Sequence, residues 1–154
     1  MNINQIQILV KEIQNLFFRR DYKTIISTTK EAIKKYPKTS IFYNLLGLAF
    51  SNIGKLEEAR IVLEKGYQIN STDLAIINNL ANVYKNSHET TKAEELYKKF
   101  IKIDKNYLNA YVNYGNLKRD LNRFSESINL YETALKLNKN IPSVNYSMAM
   151  SYQS

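Results

Sequence analysis

The sequence predicts an all-α protein made of antiparallel helix pairs with a 34-residue period. Gly occurs four times and Pro twice in 154 residues, so sharp turns are few and a glycine-rich phosphate loop is absent. Small residues recur at one place in each period, at Gly47, Ala81, Gly115 and Ala149. Apolar residues within a period are spaced by three, four and seven positions, which places them on one face of a helix. Helix pairs with such a period bury their apolar faces by stacking on their neighbours.

The period runs along the chain without insertion or deletion. Stepping from Leu46 reaches Leu80, Tyr114 and Met148, and stepping from Ala59 reaches Ala93 and Ser127. We therefore predict one domain over residues 1–154, with repeats at 6–39, 40–73, 74–107 and 108–141 and a partial fifth repeat at 142–154.

The turn inside each repeat is predicted to hold a residue in the left-handed conformation. Gly54, His88 and Asn122 share this register, and Gly, Asn and His tolerate a positive φ better than other residues do. The run Ser71-Thr72-Asp73 is predicted to start the first helix of the third repeat, and Pro142 that of the fifth.

The repeat is similar to the tetratricopeptide repeat. The family pattern is a large residue, a Leu followed by a small residue, an aromatic residue, and then Ala followed by a large residue. The second repeat matches this pattern with Tyr43, Leu46–Gly47, Phe50, Ala59 and Leu63. The third repeat matches as well, whereas the first lacks the Leu–small pair and the fourth has Lys118 at the aromatic position. The resemblance implies a right-handed α-solenoid, or superhelix, whose first helices line a concave groove.

The same resemblance implies which side chains face the groove: those at the second, fifth, sixth, ninth, twelfth and thirteenth places of each repeat. These places give a predicted peptide-binding set of Asn78, Asn79, Asn82, Lys85, Asn113, Asn116 and Arg119. A primary amide carries donors and an acceptor together, so a row of them suits a peptide backbone. The row looks like the asparagine ladder in the arm of O-linked N-acetylglucosamine transferases. The alternative is that the asparagines reflect an Asn-rich composition.

Three functions remain open at this stage. The first is a protein-interaction scaffold that binds a peptide segment in the groove, with Lys85 and Arg119 favouring acidic segments. The second is the substrate-recruiting arm of a longer enzyme, a glycosyltransferase, sulfotransferase or oxygenase, because the first repeat looks like the opening of bacterial proteins of that kind. The third is a basic RNA-binding solenoid, which the net charge of +8 permits. Nucleic acid is disfavoured because many of the tyrosines fall at packing positions of the repeat.

Other classes of site have no support in the sequence. The chain has no Cys and a single His, His88, and no nucleophile motif, so we expect no metal, no cofactor and no catalysis within it. The fifth places carry no lysine, which argues against the basic clamp that chaperone-binding relatives use for a terminal carboxylate. Without a signal peptide or a spanning segment, a cytoplasmic location without membrane contact is expected.

The end of the chain follows the first helix of the fifth repeat. Val144, Met148 and Tyr152 are expected to lack a covering helix there. Three explanations are open: a longer protein, a makeshift cap, or self-association through the last helix.

Overall fold

A computed structural model describes residues 3–138 and 142–152 of the chain. Within these residues it contains nine α-helices and no strand. Their bounds are α1 Ile3–Phe18, α2 Tyr22–Lys35, α3 Ser40–Asn52, α4 Leu56–Ile69, α5 Leu74–Asn86, α6 Thr90–Ile103, α7 Leu108–Asp120, α8 Phe124–Leu137 and α9 Pro142–Tyr152.

The helix boundaries repeat with the period of the sequence. The second helices begin at Tyr22, Leu56, Thr90 and Phe124, each one period after the one before, and α3, α5, α7 and α9 begin at the same interval. This confirms the predicted all-α fold of periodic helix pairs. Asp73 caps α5 by accepting hydrogen bonds from the Ala75 and Ile76 amides at 3.0 and 3.3 Å, as predicted.

The turns inside the repeats adopt the left-handed conformation. Gly54, His88 and Asn122 have φ angles of 76°, 61° and 57°, which confirms the prediction made from their register. Arg20 shares this conformation with φ of 56° and stands one period before Gly54, where the sequence reading had assigned nothing. After Gly54, the Lys55 amide donates to the Phe50 carbonyl at 2.9 Å, a bond typical of such helix ends.

The chain divides into two compact units, an N-terminal unit Met1–Ser87 and a C-terminal unit His88–Ser154. The predicted single domain over 1–154 stays a prediction. In the N-terminal unit, α3 packs against α4 and both contact α5, while α1 packs on α2 and α3. Gly47 allows α3 and α4 to approach closely, since a Cβ at this position would lie only 2.4 Å from Leu63 Cγ. The core of the N-terminal unit includes Ile13, Ile25, Phe42 and Leu45.

In the C-terminal unit, α7 packs against α8, α6 and α9. A Cβ at Gly115 would lie 2.6 Å from Tyr131 Cε1, so the glycine again allows the two helices to approach. The rings of Tyr97 and Tyr114 stack with 5.8 Å between their centroids. The expectation that Val144 lacks cover is wrong, because α9 packs on α8 and α7 and leaves Val144 0% exposed.

Candidate functional site

Three asparagine side chains meet on the first helices of the N-terminal unit. Asn79 Nδ2 on α5 donates to Asn44 Oδ1 on α3 at 2.8 Å, and Asn78 Nδ2 donates to Asn79 Oδ1 at 3.4 Å. All three side chains are half-buried. The structure therefore brings two of the predicted residues, Asn78 and Asn79, together with Asn44 in one chain of amides, which we call the amide cluster.

Asn44 keeps hydrogen-bonding capacity that the described part of the chain does not use. A primary amide has two N–H donors and a carbonyl oxygen with two lone pairs. Asn79 uses one N–H toward Asn44, and among the described residues neither N–H of Asn44 donates to a protein acceptor. Donors with this geometry can bind the carbonyl groups of an added polypeptide segment.

Asn82 and Lys85 lie further along α5. Asn82 follows Asn79 by three positions and Lys85 follows Asn82 by three, so each neighbours the one before it on the helix surface. Both side chains are half-buried. A peptide on the amide cluster would meet these two groups next.

The predicted residues of the C-terminal unit, Asn113, Asn116 and Arg119, all lie on α7, and all three are engaged within the protein. Asn116 Oδ1 accepts a hydrogen bond from the hydroxyl of the buried Tyr131 at 2.7 Å. Arg119 donates to Ser147 Oγ on α9 at 3.2 Å and to Asp120 Oδ1 at 3.1 Å. Asn116 and Arg119 therefore help to hold α7 against α8 and α9, a role the sequence reading did not assign.

A buried ionic cluster in the C-terminal unit was also missed. The Lys118 ammonium lies 2.8 Å from Glu94 Oε1 and 2.8 Å from Glu126 Oε2, although the lysine side chain is 1% exposed. The Tyr114 hydroxyl donates to Glu94 at 3.0 Å, and Arg123 reaches the other Glu94 oxygen at 3.0 Å. The signal was Lys118 itself, a charged residue at a place that Phe50 and Tyr84 occupy in other repeats.

The Glu94 carboxylate remains charged at neutral pH. Burial by itself raises the pKa of Glu94, but hydrogen bonds from Lys118, Lys98 and Tyr114 outweigh it and lower that pKa to about 2. Burial, together with the bond to Glu94, raises the pKa of Tyr114 to about 12. Since both Glu94 oxygens have cationic partners, this cluster fastens α6 to α7.

Other site classes find no residues to build them in the described part of the chain. No group of three or more His, Asp or Glu side chains is placed to hold a metal ion among residues 3–138 and 142–152. His88 is exposed in its turn. No helix in the same ranges has the length and apolar character needed to cross a bilayer.

Comparison with known proteins identifies the repeat. A family model described as "Psidin, N-terminal TPR repeats region" matches residues 10–148. The chain belongs to this tetratricopeptide repeat (TPR) family. The TPR fold supports a role as a protein-interaction scaffold, and the likeness of its asparagine rows to the transferase ladder stays a prediction.

One curated protein is similar in sequence, and solved structures share the fold. "Uncharacterized protein ycf37" of Pyropia yezoensis is 34% identical over 64 residues, which are 42% of this TPR chain and 36% of that relative. The crystal structure of MamA protein has a TM-score of 0.83 at 18% identity. The alignment covers 96% of this chain and 80% of that one. The first TPR of Spaghetti (RPAP3), solved with the HSP90 peptide SRMEEVD, has a TM-score of 0.71 at 21% identity, with coverage of 75% of this chain and 91% of that one.

Proposed function

We propose that this TPR chain binds an extended polypeptide segment and holds the segment's backbone with asparagine side chains of its first helices. The observation that carries the proposal is the hydrogen bond between Asn79 and Asn44. Through this bond, amides from two neighbouring first helices share one face and orient each other. Backbone N–H and C=O groups need partners when a segment is bound, and a pre-ordered amide supplies both kinds.

Binding of this type depends little on the side chains of the partner. An asparagine side chain carries an oxygen that can accept from a backbone N–H and N–H groups that can donate to a backbone C=O. In the N-terminal unit the surface consists of Asn44, Asn78, Asn79 and Asn82, with Lys85 beyond them. In the C-terminal unit Asn113 and the N–H groups of Asn116 form the corresponding surface.

Cations beside these amides favour an acidic partner. Lys85 follows Asn82 on α5, and Arg119 follows Asn116 on α7, with part of its guanidinium already bound to Ser147 and Asp120. The Spaghetti TPR was solved with the peptide SRMEEVD, which supports a peptide as the class of ligand here. We infer a moderate preference for acidic segments, stronger at Lys85 than at Arg119.

The test begins with a displayed library of random twelve-residue peptides panned against the whole chain. The affinities of the selected peptides are then measured by fluorescence polarisation for the wild type, Asn79→Ala/Asn82→Ala and Asn44→Ala. We expect both variants to bind about tenfold more weakly, since each loses hydrogen bonds to the ligand. N-methylation of single peptide bonds in the ligand should weaken binding to the wild type more than side-chain changes do.

Gln68→Ala is the matched control, because Gln68 is an exposed amide on the second helix α4 of the same unit. Circular dichroism should show equal helicity for all four proteins. Equal affinities of the wild type and the asparagine variants would overturn the proposed function.

The two alternative functions and the self-association of the chain each have their own test. An enzyme arm would bind peptides derived from the substrate of a partner domain, and the chain itself would be inactive. A basic RNA-binding solenoid would lose affinity for oligouridylate steeply as salt is raised. Self-association would appear as a concentration-dependent sedimentation coefficient, and the exposed Tyr146, Met150 and Tyr152 side chains of α9 support testing it.

A further inference from the structure

The end of α2 and the loop that leads to α3 form a cavity whose walls include no asparagine. Its volume is about 380 Å³, and its lining consists of Lys35, Tyr36, Pro37, Lys38 and Thr39. Pockets for small molecules begin at roughly 300 Å³ and combine apolar walls with a few placed polar groups. This cavity has both, since an aromatic ring and a pyrrolidine ring lie beside two ammonium groups. We call it the loop cavity.

The walls of the loop cavity are held by the fold. The Thr39 amide donates to the Tyr36 carbonyl at 3.1 Å, and the Tyr43 hydroxyl donates to the Pro37 carbonyl at 2.8 Å. The Tyr36 ring stacks on that of Phe42 with 6.0 Å between the centroids, and Phe42 is 0% exposed. Because the core fixes this ring, a ligand meets a surface that is already ordered, which lowers the entropy cost of binding.

The loop cavity is positively charged. Neither Lys35 nor Lys38 forms an ion pair in the described part of the chain, and Lys35 Nζ lies 5.3 Å from the centroid of the Tyr36 ring. No Asp or Glu occurs in residues 32–56. Asp73, which accepts a hydrogen bond from the first residue of α3 at 3.4 Å, is already engaged in capping α5. Two cations therefore line one cavity without a carboxylate of their own.

The corresponding loops of the next two repeats are closed by their own side chains. One period after Tyr36, Asn70 Oδ1 accepts a hydrogen bond from the Thr72 amide at 3.2 Å. Two periods after Tyr36, Asp104 Oδ1 accepts from the Asn106 amide at 2.9 Å. A tyrosine at this register has no acceptor that could close the loop in the same way. The first loop thus carries an aromatic ring where the later loops carry a side chain that bonds to their own backbone.

We propose that the loop cavity binds a small phosphate ester that carries a planar ring, the chemical class of a nucleoside monophosphate. A phosphate monoester has a charge of about −1.5 to −2 at neutral pH, which the ammonium groups of Lys35 and Lys38 match. Lysine is a common ligand of phosphate in proteins. A planar base suits the rings of Tyr36 and Pro37, since bases stack on aromatic side chains. This site goes beyond the proposed peptide binding and does not depend on it.

The test titrates the ¹⁵N-labelled whole chain with AMP, adenosine and ribose 5-phosphate and follows the backbone amide signals by NMR. We expect AMP to shift the signals of Tyr36, Lys38 and Thr39. AMP should bind at least about tenfold more tightly than adenosine, which lacks the phosphate, or ribose 5-phosphate, which lacks the base. Only AMP engages the cations and the rings together.

The variants for this test are Lys35→Gln and Lys38→Gln. Each should weaken AMP binding severalfold and leave the weaker binding of adenosine unchanged. Lys34→Gln is the matched control, because Lys34 is an exposed cation on the same helix that pairs with Glu31 at 2.7 Å and does not line the cavity. The control should bind AMP like the wild type, since it removes the same charge from the neighbouring position.

A second comparison separates a free nucleotide from a nucleotide within RNA, which present the same chemistry. Tighter binding of a twelve-residue oligoadenylate than of AMP, with shifts of the same amide signals, would support RNA as the source of the ligand. Tighter binding of AMP would support a free nucleotide.

Equal affinities for AMP, adenosine and ribose 5-phosphate would overturn the inference. It would also be overturned by AMP shifts confined to residues outside the loop cavity, or by wild-type affinity of both lysine variants. The asparagine variants of the peptide experiment should bind AMP like the wild type. Failure of this inference and failure of the proposed function are therefore distinguishable.

Discussion

Lys118 Nζ lies 2.8 Å from Glu94 Oε1, and the lysine side chain that makes this contact is 1% exposed. The two residues stand on α7 and α6, so the ion pair joins neighbouring repeats. A buried ion pair contributes little net stability compared with an apolar pair, but removing one partner leaves the other charge buried without compensation.

Glu94→Gln is therefore expected to destabilise the protein more than Lys118→Met does. The glutamine variant leaves the Lys118 ammonium buried with Glu126 as its remaining carboxylate, at a cost of about 2–4 kcal/mol. The methionine variant leaves Glu94 with Lys98 and Arg123 at the surface. Urea unfolding followed by circular dichroism measures both, and the double variant should be more stable than Glu94→Gln alone. A larger loss for Lys118→Met would contradict this account.

Stability should fall at acid pH through the same carboxylate. The pKa of Glu94 is lowered from 4.5 to about 2 in the folded protein. A depressed carboxylate pKa contributes stability that is present above the unfolded value and is lost as the pH falls through the folded value. The free energy of unfolding is therefore expected to be level above pH 5 and to decline between about pH 4.5 and pH 2.

Glu94→Gln serves as the reference for this pH dependence. Its decline should be shallower than that of the wild type, and the remainder should come from groups such as Glu126, whose pKa hydrogen bonds from Lys118 and Arg123 also lower. Parallel curves for the two proteins would show that Glu94 does not carry the effect.

Ser127→Ala is expected to stabilise the C-terminal unit. The Ser127 hydroxyl is buried without a hydrogen-bond partner, and Ala59 and Ala93 stand at the same register in other repeats. Removing an unsatisfied buried hydroxyl gains about 1 kcal/mol, which should appear as a rise in the melting temperature. Ser125→Ala, at an exposed position of the same helix, should shift the melting temperature less; a drop for Ser127→Ala would contradict the prediction.

Gly54→Ala should destabilise the N-terminal unit through the backbone alone. Gly54 has φ of 76°, and a Cβ there would meet no atom within 4 Å. The left-handed conformation costs an alanine about 1 kcal/mol. Gly54→Asn is the control and should cost less, because Asn adopts positive φ more readily. Equal losses for the two variants would show that the conformational preference of the residue is not the cause.

The fold followed from the sequence because its determinants are local and periodic. Helix starts, the Asp73 cap and three left-handed turns all depend on residue types at one register, and Arg20 could have been found by stepping back one period from Gly54. Asn44 stands at the fifth place of its repeat, and Asn79 stands at the sixth place of the next repeat. The register of adjacent first helices therefore accounts for the contact between them.

The ionic cluster could not be derived in the same way. Glu94 pairs with Lys98 on its own helix, a contact that the i,i+4 spacing alone indicates. Its burial depends on Lys118, which is 24 residues further along the chain. Other repeats have an aromatic residue at the position of Lys118, so the contact also depends on how far the lysine side chain extends into the space that such a ring would fill. Side-chain geometry between repeats decides such a contact, and the pattern of apolar and small residues does not contain it.

Within each unit, every helix packs against helices that are one or two places away along the chain. Contacts of this kind close only short loops, so little entropy is lost before packing begins, and chains dominated by them fold quickly. During synthesis, each helix therefore meets its packing partners within one or two helices of leaving the ribosome. The order of translation is then also the order of assembly, and a stalled ribosome would hold a nascent chain whose earlier helices are already packed.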